Sequence, residues 1–255
     1  MTTLAVIDVE RIARILGGLL PAGAPLHEPE LGEKERALVD DCLETGWVSS
    51  AGAYVDRFEE MLSAFTGAGA TIATVNGTAA LHAALVLAGV ERDAEVIVPA
   101  MTFVATANAV AYVGAVPHFA DSDEGTLGLD PARLEAHLAD IAEITDEGCR
   151  NASTGRRIAA VVAMHAFGHP VDLDPLAGVC KRFRLTLIED AAAAIGSRYK
   201  GRHVGHHGRM AIISFNGNKT ITTGGGGAIL TNNDDLAAAA RHLTTTAKLP
   251  HRWAF

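Results

Sequence analysis

Residues 209–232, RMAIISFNGNKTITTGGGGAILTN, contain two short apolar runs separated by a loop with a single lysine, Lys219, and four consecutive glycines. Apolar runs of this length, bounded by glycine and polar residues, are typical of buried β-strands. The sequence therefore predicts strands at 209–215 and 227–232. Lysine is usually a surface residue, but Lys219 lies between an apolar strand and the glycines. We therefore expect it to be held at the end of a sheet.

Outward from this stretch, runs rich in valine and isoleucine alternate with helical segments rich in alanine and leucine. Such alternation is typical of an α/β fold whose sheet is covered by helices on both faces. Asp130 and Pro131 are expected to be the N-cap and first residue of one helix, and Asn233 or Asp234 to cap the last. Further strands are predicted at 95–100, 115–121, 157–168 and 185–191, and helices at 77–88, 102–114, 129–141 and 174–184.

The composition limits the class of protein. The chain of 255 residues is 49% hydrophobic and 20% charged, which suits a globular protein with a sizeable core. Its formal net charge of −9 argues against a nucleic acid partner, because proteins that bind nucleic acids carry basic patches. The sequence contains no basic amphipathic stretch and no apolar run long enough to cross a bilayer, so no membrane partner is expected.

The N-terminus and the cysteines indicate the setting of the protein. Residues 1–24 are predicted to form a helical extension, because Asp8 and Glu10 interrupt the apolar run that a targeting segment would need. Cys42, Cys149 and Cys180 are too widely spaced for a disulfide framework or a zinc site. This pattern favours a reducing, cytoplasmic environment.

Three segments carry candidate chemistry. Gly77 and Thr78 open a helix directly after a strand-like run, where free N–H groups and the helix dipole favour an anion, although many such turns bind nothing. Glu189 and Asp190 end a predicted buried strand, where open α/β sheets place ligand groups; the alternative is a cap for the segment AAAAIG. Lys219 at a sheet end would be partly desolvated, and such amines lose protons more readily and react with carbonyl compounds.

A phosphate seat, a carboxylate for a ring nitrogen and a lysine for an aldehyde together suit one cofactor, pyridoxal 5′-phosphate (PLP). Two kinds of nucleotide-binding site are excluded. The segment NGNKT lacks the spacing of a P-loop, and NGTAAL lacks the glycine pattern of a dinucleotide-binding turn. The histidines in GRHVGHHGRM lack a Cys or carboxylate at zinc spacing, so no metal is expected, and His165 and His169 are interpreted as ordinary hydrogen-bonded residues near the pocket.

The chain also resembles a known family. Five stretches follow one another as in the DegT/DnrJ/EryC1/StrS sugar aminotransferases, which the chain resembles. They are VNGTAALHAAL, VIVPAMTFVATANAV, IEDAAAAIGSRYKGR, SFNGNKTITTGGGGAILT and HLTTTAKLPHRWAF. FNGNK and TTTAK are most similar to the branch that aminates nucleotide-linked 4-keto-6-deoxy sugars on the way to bacillosamine- or legionaminic-type sugars. The resemblance implies the large domain of a fold type I PLP enzyme over residues 25–255, with a mixed, mostly parallel sheet flanked by helices, and a cytoplasmic homodimer.

The resemblance also implies roles for individual residues. Lys219 would hold the cofactor as a Schiff base and move the proton between substrate and cofactor, and Asp190 would pair with the pyridinium nitrogen. The donor would be an amino acid, glutamate in this family, and the acceptor a nucleotide-linked keto sugar, such as a UDP-N-acetylhexosamine derivative. The phosphate would be held by Gly77, Thr78 and Ser214, the ring would stack on Phe103, and the sugar nucleotide would contact Trp47 and Ser49.

Two departures from the family pattern affect these expectations. Ala193 stands where the family usually has Gln, Glu or His, so one polar contact near the cofactor is missing and turnover is expected to suffer. Family members also continue into a small C-terminal domain, which the resemblance predicts to be absent from this chain. The rival hypothesis is therefore a catalytically silent remnant that folds or dimerises only.

Overall fold

The computed structural model describes residues 8–25 and 27–247. The helices predicted at 77–88, 102–114, 129–141, 174–184 and from 234 are all present, and both predicted N-caps are confirmed. The side chains of Asp130 and Asn233 accept hydrogen bonds from the first turns of their helices. The helices are α1 Val9–Leu19, α2 Glu33–Thr45, α3 Ala53–Thr66, α4 Gly77–Leu87, α5 Val104–Tyr112, α6 Pro131–Ile141, α7 Leu173–Arg182 and α8 Asp234–Thr244.

A nine-stranded sheet runs through the described part of the chain, and a separate pair of two-residue strands lies beside it. The main order is β1-β11-β10-β7-β6-β2-β3, with the hairpin β4–β5 attached to the start of β6. The strands are β1 Ala70–Thr74, β2 Glu95–Pro99, β3 Val116–Ala120, β4 Ala142–Thr145, β5 Gly148–Asn151, β6 Arg157–Met164, β7 Thr186–Asp190, β8 Arg198–Tyr199, β9 Arg202–His203, β10 Met210–Ser214 and β11 Gly227–Thr231.

The sheet is mixed and mostly parallel. Within the run β3-β2-β6-β7-β10 each adjacent pair of strands is parallel, whereas β11 is antiparallel to both β10 and β1, and β5 is antiparallel to β6. Two hydrophobic clusters cover the two faces: one includes residues of α3, α6 and α7, and the other residues of α4, α5 and α8. Because parallel strands are covered on both faces, they form nearly continuous apolar runs. The predicted α/β class is confirmed.

The structure differs from the sequence prediction at particular places. Strand β6 ends at Met164 and not at Gly168, because residues Ala166–Gly168 form a 3₁₀ turn in which Phe167 and Gly168 have positive φ. The helix predicted at 102–114 begins only at Val104. Helices α2 and α3 and the β4–β5 hairpin were not predicted; the hairpin sequence AEITDEGCRN is polar and lacks regular alternation.

The N-terminal part packs least. Helices α1 and α2 contain no buried residue among those described, and the leucine and isoleucine side chains of α1 are 46–74% exposed. The division into an extension at 1–24 and a large domain at 25–255 stays a prediction. Residues 248–255, which end the fifth family-like stretch, lie outside the described residues. None of the helices in the described part combines the length and apolar character that a membrane span requires.

Candidate active site

A cavity of about 620 Å³ lies at the carboxyl ends of β6, β7 and β10 and at the start of α4. This is the edge of an open α/β sheet at which ligands bind. It brings together all six residues predicted to hold the cofactor. The lining residues include Asn76, Gly77, Thr78, Thr102, Phe103, His165, Phe167, Asp190, Ala193, Ser214, Asn216 and Lys219.

The start of α4 is held against the sheet by close backbone approaches. A Cβ at Gly77 would lie 2.8 Å from Cβ of Ser214, and a Cβ at Gly227 would lie 2.4 Å from the carbonyl carbon of Asn76. Both positions therefore require glycine. The Asn76 side chain caps the helix by accepting from the Ala79 N–H at 2.8 Å. Because the first N–H groups of a helix have no intrahelical partner, this turn presents donors to the cavity beside the Ser214 hydroxyl.

The carboxylate of Asp190 ends β7 and is 6% exposed. Its Oδ2 accepts from the Thr106 hydroxyl at 2.8 Å, and its Oδ1 accepts from the Ala192 N–H at 3.2 Å. Residues 191–196 form turns and not a helix, so the alternative of a helix cap does not apply. Asp190 is thus a buried carboxylate at the cavity wall.

Lys219 lies in a turn closed by a hydrogen bond from its own N–H to the Asn216 carbonyl, at 2.9 Å. The side chain is half-buried, and Nζ lies 5.8 Å from the centroid of the Phe103 ring. Phe103 precedes α5 and is 65% exposed at the cavity. An amine and an exposed aromatic face are therefore brought together across the space that a flat ring would need.

Next to Asp190, the fully buried Glu189 has a separate set of partners. Its carboxylate accepts from the N–H groups of Gly205, His207 and Gly208 at 2.7–2.8 Å. His165 accepts from the Val171 N–H at Nδ1 and therefore carries its proton on Nε2, which faces Glu189 at 3.3 Å. Burial alone would raise the pKa of Glu189, but these hydrogen bonds and His165 outweigh it and hold the pKa well below its ordinary value.

Other residues singled out by sequence lie elsewhere. Within the described residues, Trp47 and Ser49 are exposed and do not line the cavity; the Trp47 ring packs beside Gly52. His169 lines a second cavity. The nitrogens of His203 face carbonyl oxygens, and the parts of the chain that are described hold no group of three His, Cys, Asp or Glu residues suited to a metal.

Sequence reasoning missed the threonines that support Asp190. Thr106 lies 84 positions before its partner and reads as an ordinary residue of an apolar helix. Thr102 and Asn216 also line the cavity without having been singled out. Pairing of this kind depends on the strand order, so no local pattern could have indicated it.

The fold and the site together define a class. PLP-dependent enzymes bind their cofactor with a lysine, a carboxylate and the N–H groups of a helix start. Here a half-buried lysine, a carboxylate at a strand end and a helix start surround one cavity. The residues present fit this cofactor, since the glycine-enforced turn offers donors for a phosphate and Asp190 offers an acceptor for a ring nitrogen.

Comparison with known proteins identifies the family. The chain belongs to the DegT/DnrJ/EryC1/StrS aminotransferase family, which matches residues 29–253. Members of this family are PLP-dependent. A GDP-perosamine synthase of Caulobacter vibrioides is 42% identical over 196 residues, 77% of this chain and 48% of that protein. The spore coat polysaccharide biosynthesis protein SpsC of Bacillus subtilis is 37% identical over 200 residues, 78% and 47% of the two chains.

Solved structures agree. DesI, determined in the presence of its TDP-sugar product, superposes with a TM-score of 0.73 at 35% identity, over 85% of this chain and 51% of that one. A 3-amino-5-hydroxybenzoic acid synthase superposes with a TM-score of 0.77 at 30% identity, over 89% of this chain and 56% of that one. The chain spans about half the length of the relatives it matches.

Replacing Glu189 by glutamine tests the buried anion. Glu189→Gln is expected to lower the free energy of unfolding near pH 7 by about 3 kcal/mol, because one amide cannot satisfy all the donors that face the carboxylate. Because folding lowers the pKa of Glu189, the carboxylate contributes its full stability at pH values above 4.5, the ordinary pKa of a glutamate. This contribution is lost as the pH falls through the pKa of Glu189 in the folded chain. Chemical unfolding measured between about pH 7 and pH 3 should therefore show that acidification lowers the free energy of unfolding less in the variant than in the wild type.

Glu135→Gln is the matched control, since Glu135 pairs with Arg182 on the surface and should change stability by under about 1 kcal/mol. Equal stability of the wild type and Glu189→Gln at neutral pH would contradict the interpretation.

Proposed function

We propose that this chain is the cofactor-binding part of an aminotransferase that moves an amino group from an amino acid to the keto carbon of a nucleotide-linked sugar. The observation that carries the proposal is the convergence of Lys219, Asp190 and the Gly77–Thr78 turn on one cavity. Family membership supports the reaction class. An amino-acid donor, glutamate by resemblance to the family, supplies the amine.

Each residue of the site has a proposed task. The N–H groups of Gly77 and Thr78 and the hydroxyl of Ser214 bind the phosphate, and Asp190 accepts the hydrogen of the ring nitrogen. Phe103 covers one face of the ring. When bound, PLP supplies the electron sink that stabilises negative charge on the carbon that carries the amine.

Lys219 has two tasks in this proposal. Its Nζ holds the cofactor covalently at rest and, once released, takes and returns a proton as general acid and base. Half-burial and the turn to Asn216 keep the amine at the cavity, and the glycines that follow give the backbone room to adjust. Ala193 contributes only a methyl group to the lining, so a polar contact is missing there and slower turnover is expected.

The sugar substrate is proposed from the relatives. Proteins called GDP-perosamine synthase and a protein determined with a TDP-sugar support a nucleotide-linked sugar as the substrate class. The motifs FNGNK and TTTAK favour a UDP-linked 4-keto-6-deoxy-N-acetylhexosamine, and the GDP-linked 4-keto-6-deoxy sugar is the second candidate. Trp47 and Ser49 stay predicted contacts for the nucleotide part. The free state of Cys42, Cys149 and Cys180 supports a cytoplasmic setting.

Covalent attachment of the cofactor is tested at Lys219. The purified chain supplied with PLP should become yellow, and borohydride should fix the cofactor on the peptide that contains Lys219. Lys219→Ala should lose both the visible band and the adduct, whereas Lys200→Ala, a surface lysine paired with Asp174, should keep both. Absorbance and peptide mapping give the readouts. A colourless wild-type chain, or an adduct at another lysine, would count against the proposal.

Amine transfer is tested with defined sugars. The chain, PLP and glutamate should convert a UDP- or GDP-linked 4-keto-6-deoxy sugar to the amino sugar, detected by mass spectrometry. Lys219→Ala should reduce the rate by roughly 10²–10⁴-fold because the general acid and base is lost. If the wild type holds the cofactor but forms no product from either sugar, the transferase proposal is rejected and the silent remnant is the better explanation.

A second copy of the chain is the proposed protein partner. Large apolar side chains are exposed around the cavity, among them Phe103, Val104 and Phe167, and such patches mark interfaces. Sedimentation equilibrium should therefore give a mass of twice 26.6 kDa. Phe167→Ser should shift the chain toward monomer, and Met61→Ser on α3 serves as the exposed control. A wild-type monomer at high concentration would reject this part of the proposal.

A further inference from the structure

We propose that Thr102 and Thr106 form a chain of hydroxyl groups that positions the carboxylate of Asp190 at the cavity wall. The inference rests on the proposed function in one respect: the group toward which Asp190 is held is the ring nitrogen of PLP. The hydrogen bonds themselves are features of the protein alone.

Two hydrogen bonds of ordinary length define the chain of hydroxyl groups. The Thr102 hydroxyl donates to Thr106 Oγ1 at 2.9 Å, and the Thr106 hydroxyl donates to Asp190 Oδ2 at 2.8 Å. Thr106 is fully buried, and Thr102 and Asp190 both line the cavity. Thr106 thus connects two groups of the cavity wall from behind.

The direction of the chain follows from the chemistry of its ends. A carboxylate only accepts, so Thr106 must donate its single hydroxyl hydrogen to Asp190. The oxygen of Thr106 is then free to accept from Thr102, and hydrogen bonds in series strengthen one another. The second carboxylate oxygen, Oδ1, is held by the N–H of Ala192. Both oxygens therefore have a fixed donor, which sets the plane of the carboxylate.

Thr106 differs from other helical threonines of this chain. A threonine in a helix usually returns its hydroxyl to the carbonyl four residues earlier. Thr66 does so to Leu62 at 2.7 Å, and Thr244 to Ala240 at 2.9 Å. Thr106 instead bonds a strand residue 84 positions away. A buried hydroxyl directed at the site carboxylate is a positioning group, because it acts on the ligand only through Asp190.

The test compares four variants by PLP affinity, from absorbance titration, and by the pH dependence of the visible band. Thr106→Val keeps the shape but removes the donor, so PLP affinity should fall roughly 10- to 100-fold, as for a hydrogen bond to a charged group. Thr106→Ser keeps the donor, so its PLP affinity should stay within about threefold of that of the wild type. The PLP affinity of Thr102→Val should lie between those of Thr106→Val and Thr106→Ser. Thr66→Val should leave both readouts unchanged, because among the described residues the Thr66 hydroxyl bonds only to its own helix and to the following turn.

A shifted pH dependence in Thr106→Val that Thr106→Ser restores would support positioning over a general loss of packing. If the wild type binds PLP and Thr106→Val binds it equally well with the same pH dependence, the hydroxyl chain is wrong while the proposed function stands. If Thr106→Val does not fold, Thr102→Val decides by the same two readouts.

A cofactor-free measurement keeps the two proposals separable. In a cycle of Thr106→Val and Asp190→Ala on the apo chain, the double variant should lower the melting temperature by clearly less than the sum of the single changes, because either change alone removes the hydrogen bond. Strict additivity would overturn the hydroxyl chain. Non-additivity together with no PLP binding by the wild type would reject the proposed function and leave the hydrogen bonds in place.

Discussion

The buried carboxylate of Glu189 is the interaction on which the arrangement of the site depends. It collects three backbone N–H groups from the loop before β10 and faces His165 at the end of β6. An unpaired charge at this depth would cost several kcal/mol, about 3–5 kcal/mol when one partner of a buried pair is removed. The loop, β7 and the end of β6 are therefore fixed relative to one another.

Glu189 and Asp190 show how strand geometry separates two adjacent carboxylates. Successive side chains of a strand point to opposite faces, so Glu189 reaches the loop at 205–208 while Asp190 reaches the cavity. One carboxylate is saturated by the protein, whereas among residues 8–25 and 27–247 the donors to the other are Thr106 and Ala192. Since each carboxylate oxygen has two lone pairs, Asp190 retains acceptor capacity for a ligand, and Glu189 is committed to structure.

The sequence predicted those parts of the fold and site that have local causes. Apolar runs gave β7 and β10, and side-chain caps gave the starts of α6 and α8 at Asp130 and Asn233. Lys219, Asp190 and Gly77 were found because each residue type stands at a strand end or helix start where its chemistry is useful. The turn at Phe167 was missed, because a positive φ is uncommon for a residue other than glycine and the aromatic side chain gives no local signal for it.

What the sequence could not supply is the set of contacts between distant elements. Glycine is needed at position 227 because β11 passes so close to the Asn76 carbonyl that a Cβ would overlap it. Gly227 and Asn76 lie 151 positions apart along the chain. The same strand order places α5 beside the end of β7, so that Thr106 meets Asp190. Lys219 and Phe103 are likewise brought together by the sheet and not by local sequence. The cavity is a consequence of strand order, and local sequence determines only which side chains are available to line it.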